Sequence, residues 1–383
     1  MTRPRFLFLF SDTGGGHRST AEAVRDAVES IPGFEAEVVL VDFLSDYAPP
    51  PFNRLPMTYP DLVKRPRGWA FFYRLSNGPG RVRSIGRLTW PYVRRAAGRI
   101  VLNHPADVFV SFHPIANDPF VRALNRIPHP ERPPYIVVVT DLVSTHAFWF
   151  HRGADLTIVP TRPAYRHALA CGLPAERVAE VGLPVAERFC RPDGEREVLR
   201  AALGWPADRK MVLLVGGGEG MGPLEATARS IARALPEVGL AVVAGRNVAL
   251  QARLEKADWE IPTFTYGFVR NMPDLMAAAD VLVTKAGPGT ISEGLNAGLP
   301  IILYSFLPGQ EAGNVPYLTE NGAGLWAPSP EDVIAGLRGW LEDQEAYEAA
   351  RSAARRLARP DAAREIAALL LRVADNPYPF LSG

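Results

Sequence analysis

Residues 5–17 read RFLFLFSDTGGGH, an apolar run that ends in a glycine-rich turn. The run has the length of a strand that is buried on both faces, and a helical pattern follows it from about Ser19. Further apolar runs continue the alternation at EVVLVDF, DVFVSF, YIVVVTDL and LTIVP. This rhythm of buried strands and helices predicts a doubly wound α/β domain with a parallel sheet.

The same rhythm starts again after the polar, proline-containing stretch RPDGEREVLRAALGWPADRK. The strands predicted for a second domain are MVLLVGGG, LAVVAG, TFTYGF, DVLVTKAG and PIILYSF. We therefore expect one domain over residues 1–194, a second over 195–358, and a C-terminal helix within 359–383 that packs back on the first domain. A chain of 383 residues with 47% apolar residues is sufficient for two cores.

The overall composition excludes several classes of protein. The net charge of +1 gives no global reason to expect a nucleic-acid partner. The two cysteines, Cys171 and Cys190, form neither a disulfide framework nor a zinc spacing, which favours a reducing cytoplasm. The first apolar run is too short for a signal peptide, and no run approaches the roughly 20 residues of a membrane span. We expect any membrane contact to be peripheral, and the oligomeric state stays open.

Three glycine-rich turns follow predicted strands, at GGGH (14–17), GGGEG (216–220) and GPGT (287–290). Glycine allows the backbone to approach a ligand, and the N–H groups of the following helix start attract an anion, so these turns predict phosphate binding. The alternative is that they only make tight turns. No G-x-G-x-x-G stands at any of the turns, and the chain has no P-loop motif. No D-x-D is present to hold a divalent ion, so we expect neither a metal nor another cofactor.

Several longer motifs carry a resemblance to a known family. These are SDTGGGH with STAEA, VVTDL with TH and WF, VGGGEGMGP, GRN, TKAGPGTISE, GLPIIL and PGQEAGNVPYLTENGAG. Across almost the whole chain the sequence resembles the monogalactosyldiacylglycerol synthases and bacterial diacylglycerol glucosyltransferases, which are related to the lipid II N-acetylglucosaminyltransferase. The resemblance implies a GT-B fold of two Rossmann-like domains facing each other across a cleft. It also implies an inverting UDP-sugar-dependent hexosyltransferase that makes a β-glycosyl diacylglycerol.

In the first domain the resemblance places His17 as the general base. An imidazole can take the proton of an acceptor hydroxyl as that hydroxyl attacks the anomeric carbon. Asp12 has two candidate roles, orienting His17 or capping the helix. Asp141 and His146 form a second polar group, with Asp141 in the catalytic set and His146 near the acceptor. Gly15 and Gly16 complete the expected acceptor side.

In the second domain the resemblance implies that Glu293 binds the ribose hydroxyls and that Phe268 contacts the uracil. Gln310 and Glu311, with Asn314 nearby, are expected to bond the sugar hydroxyls. The leaving diphosphate is expected to lie on main-chain N–H groups, with Arg246 or Lys285 as a cation. The candidate diphosphate residues are Gly216, Gly217, Gly218, Gly287, Gly289 and Thr290.

Residues 52–99 combine many cations and aromatic rings with a single acid, Asp61. The cations are Arg54, Lys64, Arg65, Arg67, Arg74, Arg81, Arg83, Arg87, Arg94, Arg95 and Arg99. This pattern predicts docking to an anionic membrane surface, through which the acceptor lipid enters. A solvated basic loop and a nucleic-acid patch share the same charge signature. The residues expected to contact membrane or acceptor are Trp69, Arg81, Arg83, Arg87 and Trp90.

Alternative functions remain at this point. The chain could use another lipid acceptor, such as a polyprenyl-linked sugar or a sterol, or it could be a UDP-sugar epimerase of similar architecture. A catalytically inactive binding module is disfavoured because His17, Glu293 and Gln310 occur together. Galactose and glucose differ at one hydroxyl, and the sequence does not choose between them as the donor sugar.

Overall fold

Buried parallel strands organise the chain into two compact units, described here from a computed structural model. The structure describes residues 3–14, 16–33, 35–63, 66–128 and 130–377. One unit consists of residues 1–186, 308–310 and 361–383, and the other of residues 187–307 and 311–360. The sequence had placed the boundary between the domains near residue 195.

The described residues of the first unit form a six-stranded parallel sheet in the order β2-β1-β3-β4-β5-β6. Its strands are β1 (Arg5–Phe10), β2 (Glu37–Asp42), β3 (Val108–Ser111), β4 (Tyr135–Val138), β5 (Leu156–Val159) and β6 (Val178–Glu180). The central strands are buried on both faces, because helices cover the two sides of the sheet. This confirms the predicted doubly wound architecture.

Seven helices lie between these strands in the described part of the first unit. They are α1 (Gly16–Glu29), α2 (Phe43–Tyr47), α3 (Leu55–Val63), α4 (Pro66–Ser76), α5 (Pro79–Asn103), α6 (Asn117–Leu124) and α7 (Arg162–Ala170). Short 3-10 turns occur at Phe52–Arg54, Pro114–Ala116, Ala147–Trp149 and Ala175–Arg177. Helices α3 to α5 fill the long connection between β2 and β3, where the basic aromatic segment lies.

The described residues of the second unit form another six-stranded parallel sheet, in the order β12-β11-β10-β7-β8-β9. Its strands are β7 (Lys210–Val215), β8 (Val238–Val243), β9 (Thr263–Tyr266), β10 (Val281–Lys285), β11 (Ile301–Ser305) and β12 (Gly324–Trp326). The helices of this unit are α8 (Glu187–Cys190), α9 (Arg196–Leu203), α10 (Leu224–Ala234), α11 (Val248–Glu255), α12 (Met272–Ala278), α13 (Pro288–Asn296), α14 (Asn314–Glu320), α15 (Pro330–Glu342) and α16 (Gln344–Leu357). The same doubly wound plan is therefore used twice.

The last described helix, α17 (Ala362–Asp375), belongs to the first unit and packs against α1. Ile366 and Leu370 are fully buried, and they share one apolar cluster with Val24 and Val28 of α1. The chain thus returns to the first unit because the apolar stripe of α17 completes the core on that face of the sheet.

The strand order reverses once in each sheet. In the first unit the reversal lies between β1 and β3, and in the second it lies between β7 and β10. Loops at the carboxyl ends of strands diverge at such a point and leave a crevice, which is where open α/β sheets bind ligands. These two positions are therefore where functional residues are expected. Among the described residues, no helix is both long enough and apolar enough to cross a membrane.

Candidate active site

His17 lies at the reversal point of the first sheet, in the first turn of α1 directly after β1. Its Nδ1 atom is 2.8 Å from the Thr140 hydroxyl, which follows β4. Its ring centroid is 4.5 Å from that of His113, which follows β3. Three strands that are adjacent in the sheet thus bring these residues together at one edge.

The His17 ring is held in its unprotonated form. Burial lowers the pKa of the imidazole to about 4, and the backbone of Phe112 and the charge of Asp12 oppose this shift. At neutral pH the ring is therefore unprotonated, which is the form in which a general base acts.

Asp12 is paired with Arg18, and the two roles that the sequence suggested for it stay predictions. Its carboxylate accepts two hydrogen bonds from the Arg18 guanidinium, at 2.8 and 2.6 Å. Arg18 also lies over the Phe10 ring, 4.4 Å from its centroid. The charge of Asp12 acts on His17, whose ring lies beside the Thr140 hydroxyl and the backbone of Phe112.

A second histidine, His113, lies beside His17 and makes two contacts of its own. The Nε2 atom of His113 is 2.8 Å from the Thr13 hydroxyl, and the N–H of Ile115 donates to His113 Nδ1 at 3.3 Å. The side chain of His113 is buried. Sequence analysis missed His113, which directly follows the predicted strand DVFVSF. It also missed Thr13 in the turn after the first strand and Thr140 inside the predicted run YIVVVTDL.

Asp141 and His146 lie in the loop that follows β4, and both are buried. The Asp141 carboxylate accepts hydrogen bonds from Trp149 Nε1 at 2.7 Å and from Gln310 Nε2 at 3.0 Å. His146 Nδ1 accepts from the N–H of Phe148, and its Nε2 lies 3.1 Å from the Ser76 hydroxyl. Burial lowers the pKa of His146 to about 4. Both nitrogens of His146 are thus engaged within the protein, so this ring organises the loop.

Two of the three glycines in the first turn, Gly14 and Gly16, are among the described residues. Gly15 lies outside the described residues. Gly16 opens α1 and is exposed, with open space where a side chain would stand. Gly14 has a φ of +94°, which a residue with a side chain rarely adopts, so the turn depends on glycine there.

The glycine-rich turn of the second unit lies at the reversal point between β7 and β10. Gly217 has a φ of +70°, and a Cβ at this position would lie 2.9 Å from Cε of Lys285. The Lys285 ammonium is also close to Gly287 and donates to the Glu311 carboxylate. A cation thus extends across the turn of residues 216–218 towards the start of α13. This is the arrangement that a diphosphate requires.

Arg246 and Phe268 follow β8 and β9 on one side of this turn. The guanidinium of Arg246 lies over the Phe268 ring, 4.5 Å from its centroid, and donates to Glu219 at 3.0 Å. The ring of Phe268 is 58% exposed. An exposed ring beside a cation is available to a planar base, whereas a core ring would be buried.

Helix α13 begins after Gly287, so the N–H groups of Gly289 and Thr290 lie in its unpaired first turn. The space around Gly289 is open, because a Cβ added at this position would have no neighbouring atom within 4 Å among the described residues. Glu293 lies one turn further along, and burial raises the pKa of its carboxyl to about 7. No described residue donates a hydrogen bond to this carboxylate. It is therefore available for hydroxyl groups of a ligand.

The three residues expected to bond sugar hydroxyls have different environments. Gln310 donates to Asp141, while its Oε1 is buried without a partner among the described residues. Glu311 is buried, and its carboxylate accepts from Lys285 and from the N–H of Leu307. Asn314 donates to the carbonyl of Ala286 at 2.8 Å, and its Oδ1 is buried without a described partner. Glu311 is thus engaged as the counter-ion of Lys285.

The basic aromatic segment exposes some of its predicted membrane-facing rings and half-buries others. Trp69 is half-buried and contacts the rings of Tyr59 and Tyr73, and Trp90 is half-buried beneath Arg122 and Arg126. Both tryptophans therefore pack within the first unit. The exposed large apolar side chains of helices α3 to α5 are Met57, Leu62, Phe71, Phe72, Leu75, Leu88, Tyr92 and Leu102. Arg81, Arg83 and Arg87 are exposed on α5, while Lys64 and Arg65 lie outside the described residues.

The side chains of the described residues include no group of three or more His, Cys, Asp or Glu that could hold a metal ion. The expectation that no cofactor is needed stays a prediction.

Known proteins match both halves of the chain. Residues 17–185 match the family Monogalactosyldiacylglycerol (MGDG) synthase, and residues 211–366 match the Glycosyltransferase family 28 C-terminal domain. A probable monogalactosyldiacylglycerol synthase of Glycine max is 39% identical over 94% of this chain and 69% of its own length. Monogalactosyldiacylglycerol synthase 1 of Arabidopsis thaliana is 38% identical over the same shares. The chain belongs to the monogalactosyldiacylglycerol synthase family.

Solved structures agree with the fold of this family. The structure titled S. aureus MnaA-UDP superimposes with a TM-score of 0.64 at 14% identity, covering 99% of this chain and 98% of that one. MurG of Acinetobacter baumannii superimposes with a TM-score of 0.61 at 16% identity, covering 96% and 100%. At these identities the likeness shows the fold alone. The predicted GT-B class is confirmed, and family membership confirms a UDP-sugar-dependent hexosyltransferase.

Proposed function

We propose that this member of the monogalactosyldiacylglycerol synthase family transfers a hexose from a UDP-sugar to diacylglycerol, with inversion at the anomeric carbon. The observation that carries the proposal is the position of His17 at the reversal point of the first sheet, with its ring beside Thr140 and His113. Galactose is the sugar in the names of the family's curated members, so UDP-galactose is the donor that we propose first.

In the proposed reaction, His17 takes the proton of the diacylglycerol hydroxyl as its oxygen attacks the anomeric carbon. A new C–O bond forms on one face of the sugar while the bond to UDP breaks on the other. An α-linked donor therefore gives a β-linked glycolipid. The Thr140 contact fixes the ring plane, so the base is oriented before the acceptor arrives.

The donor half of the proposal rests on the second unit. Phe268 and Arg246 would contact the uracil, Glu293 the ribose hydroxyls, and Asn314 the sugar. Gln310, which belongs to the first unit, is also proposed to contact the sugar. The diphosphate would lie between the turn of residues 216–218, Lys285 and the first turn of α13. These N–H groups and the ammonium supply positive charge where the leaving group becomes most negative, and they support a reaction without a metal.

A transfer assay tests the reaction and the role of His17. UDP-galactose and UDP-glucose are each supplied with diacylglycerol, a polyprenyl-linked sugar or a sterol, with and without EDTA. We expect galactosyl diacylglycerol in both conditions, and loss of at least about a hundredfold in kcat for His17→Ala. His104→Ala, which removes a ring bonded to Tyr47, is the matched control. Undiminished turnover by His17→Ala would exclude His17 as the base.

We also propose that helices α4 and α5 dock on an anionic membrane. Phe71, Phe72 and Leu75 of α4 are 69%, 62% and 59% exposed. Exposed arginines of α5 lie next to them in the sequence, and near an anionic leaflet each such cation contributes about 1 kcal/mol. Apolar and basic groups on one surface are the combination that peripheral binding requires.

Vesicle sedimentation separates the two contributions to docking. Neutralising Arg81, Arg83 and Arg87 together should abolish binding to anionic vesicles at physiological salt. Changing Phe71, Phe72 and Leu75 to Ser should weaken binding that persists at high salt. Val248→Ser changes an equally exposed apolar residue of the second unit and serves as the control. Unchanged binding by both multiple variants would exclude this surface.

A further inference from the structure

The hydrogen bonds of His113 determine which of its ring nitrogens carries the proton. The backbone N–H of Ile115 donates to Nδ1 at 3.3 Å, and a nitrogen that accepts a hydrogen bond carries no proton. The neutral ring therefore has its proton on Nε2. That nitrogen lies 2.8 Å from the Thr13 hydroxyl, so His113 donates and the Thr13 oxygen accepts.

This bond leaves the Thr13 hydroxyl with its own proton available. A hydroxyl can accept and donate at the same time, and the described residues supply no acceptor for the Thr13 proton. Thr13 is half-buried and lies in the same turn as His17. His113 in turn contacts the His17 ring at 4.5 Å between centroids. One buried ring therefore contacts both the proposed base and a hydroxyl that can still donate.

We propose that His113 is a positioning residue for the transfer step and that Thr13 donates a hydrogen bond to an oxygen of the acceptor. His113 holds the Thr13 oxygen from the protein side, so the hydroxyl proton is directed to the ligand. The same ring packs against His17 and limits its rotation. The inference rests on the proposed function, because it assigns the acceptor to the turn that carries the base.

The neighbourhood of His113 keeps this arrangement intact. Its side chain is 2% exposed, and the edge of the ring meets Phe43 at a centroid distance of 5.5 Å. Protonating Nδ1 would break the bond from Ile115, so the ring stays neutral while it donates to Thr13. A neutral ring beside His17 does not repel the imidazolium that forms when His17 takes a proton.

Two conservative variants of His113 separate positioning from folding. In His113→Asn the amide oxygen can replace Nδ1 as the acceptor for Ile115, but nothing reaches Thr13. In His113→Gln the amide nitrogen can replace Nε2 as the donor to Thr13. A positioning role predicts that Gln retains more acceptor kcat/KM than Asn, whereas a purely structural role predicts the reverse order.

Thr13 variants complete the kinetic test, with UDP-galactose and vesicle-borne diacylglycerol as substrates. We expect Thr13→Val to lower acceptor kcat/KM about tenfold, the value of one hydrogen bond, with donor KM unchanged. Thr13→Ser should stay within about twofold of the natural protein, since it keeps the hydroxyl. The double variant Thr13→Val with His113→Asn should lose less than the product of the two single losses, because both changes remove the same hydrogen bond. Additive losses, or a larger loss for Gln than for Asn, would overturn the inference.

A nitrogen NMR measurement tests the arrangement without any turnover. In the ¹⁵N-labelled protein at neutral pH, His113 should show a protonated Nε2 and an unprotonated Nδ1. Thr13→Val should shift the Nε2 resonance, whereas Thr13→Ser should not. A proton on Nδ1 would overturn the inference whether or not the enzyme is active. If the natural protein shows this tautomer yet transfers no hexose, the proposed function fails instead.

Discussion

The hydroxyl of Tyr73 donates a 2.6 Å hydrogen bond to the carbonyl oxygen of Ser144. The bond joins helix α4 to the loop that carries Asp141 and His146. Ser76 at the end of α4 contacts His146, and Asn77, directly after the helix, accepts a hydrogen bond from the N–H of Ala147. The same helix exposes Phe71, Phe72 and Leu75. One helix thus combines the proposed membrane surface with contacts to the loop after β4.

Removing the Tyr73 hydroxyl should affect both stability and turnover. In Tyr73→Phe the ring remains, but the hydrogen bond to the carbonyl of Ser144 is lost, which costs about 0.5–1.5 kcal/mol. We expect a lower free energy of unfolding in urea and slower turnover of vesicle-borne diacylglycerol, with vesicle binding unchanged. Tyr92→Phe removes an exposed hydroxyl of α5 and should change neither. Equal stability of the two variants would contradict the role of this bond.

Lys285 should contribute to the binding of UDP but not to the binding of uridine. Its ammonium lies beside the turn of residues 216–218, so Lys285→Met should weaken UDP binding by on the order of 1.5–3 kcal/mol, the value of a charged hydrogen bond. Binding of uridine, which has no phosphate, should stay the same in calorimetry. Lys256→Met removes an exposed lysine after α11 and is the control. A parallel loss for uridine and UDP would place Lys285 away from the phosphates.

Glu293 should produce opposite effects on stability and on donor binding. Burial raises the pKa of its carboxyl from 4.5 to about 7, so ionisation opposes folding as the pH rises. Glu293→Gln cannot ionise, and it should be more stable than the natural protein by about 1–2 kcal/mol above pH 7. This advantage should shrink between pH 7 and 4.5 and vanish below. Thermal unfolding across this range checks it.

The same substitution should weaken UDP binding at pH 8, because an amide binds the ribose hydroxyls less strongly than a carboxylate. In the natural protein, UDP affinity should rise with pH through about 7, and Glu293→Gln should remove that rise. Gln344→Glu places an acid on the exposed first turn of α16 and should leave the profile unchanged. A Glu293→Gln protein with undiminished affinity for UDP would exclude ribose recognition by this residue.

The sequence predicts both sheets because buried parallel strands are continuous apolar runs, and such runs are visible without any alignment. It also predicts residues that directly follow strands, such as His17, Asp141 and Gly216, since the carboxyl ends of parallel strands meet at one edge. His113 follows the same rule, but its contact with Thr13 spans 100 residues and depends on β1 pairing with β3. Spacing in the sequence carries no record of that pairing.

Composition was a weaker guide to which side chains face the solvent and which pack inside the protein. The basic aromatic segment suggested Trp69 and Trp90 as membrane contacts, but large rings also fill gaps between helices, and both pack inside the first unit. The exposed rings of the segment belong to Phe71, Phe72 and Tyr92. Glu311 was expected to bind sugar, yet a buried carboxylate needs a cation, and Lys285 supplies it. Which side of a helix faces the core depends on tertiary packing.

Asp280 should be required for the stability of the second unit and not for the binding of UDP. The buried carboxylate accepts from Arg200, from Arg196 at 2.9 Å and from the N–H of Met211 at 2.7 Å. Asp280→Asn leaves two guanidinium groups without their counter-ion, so we expect a loss of about 3–5 kcal/mol in the free energy of unfolding. Glu260→Gln, whose pair with Arg233 is exposed, should cost no more than about 1 kcal/mol.

Asp280 and Met211 lie at the starts of β10 and β7, opposite the glycine turns, so UDP affinity of the folded variant should be unchanged. A variant that keeps its stability, or that loses UDP binding while still folded, would show that the carboxylate has a different role.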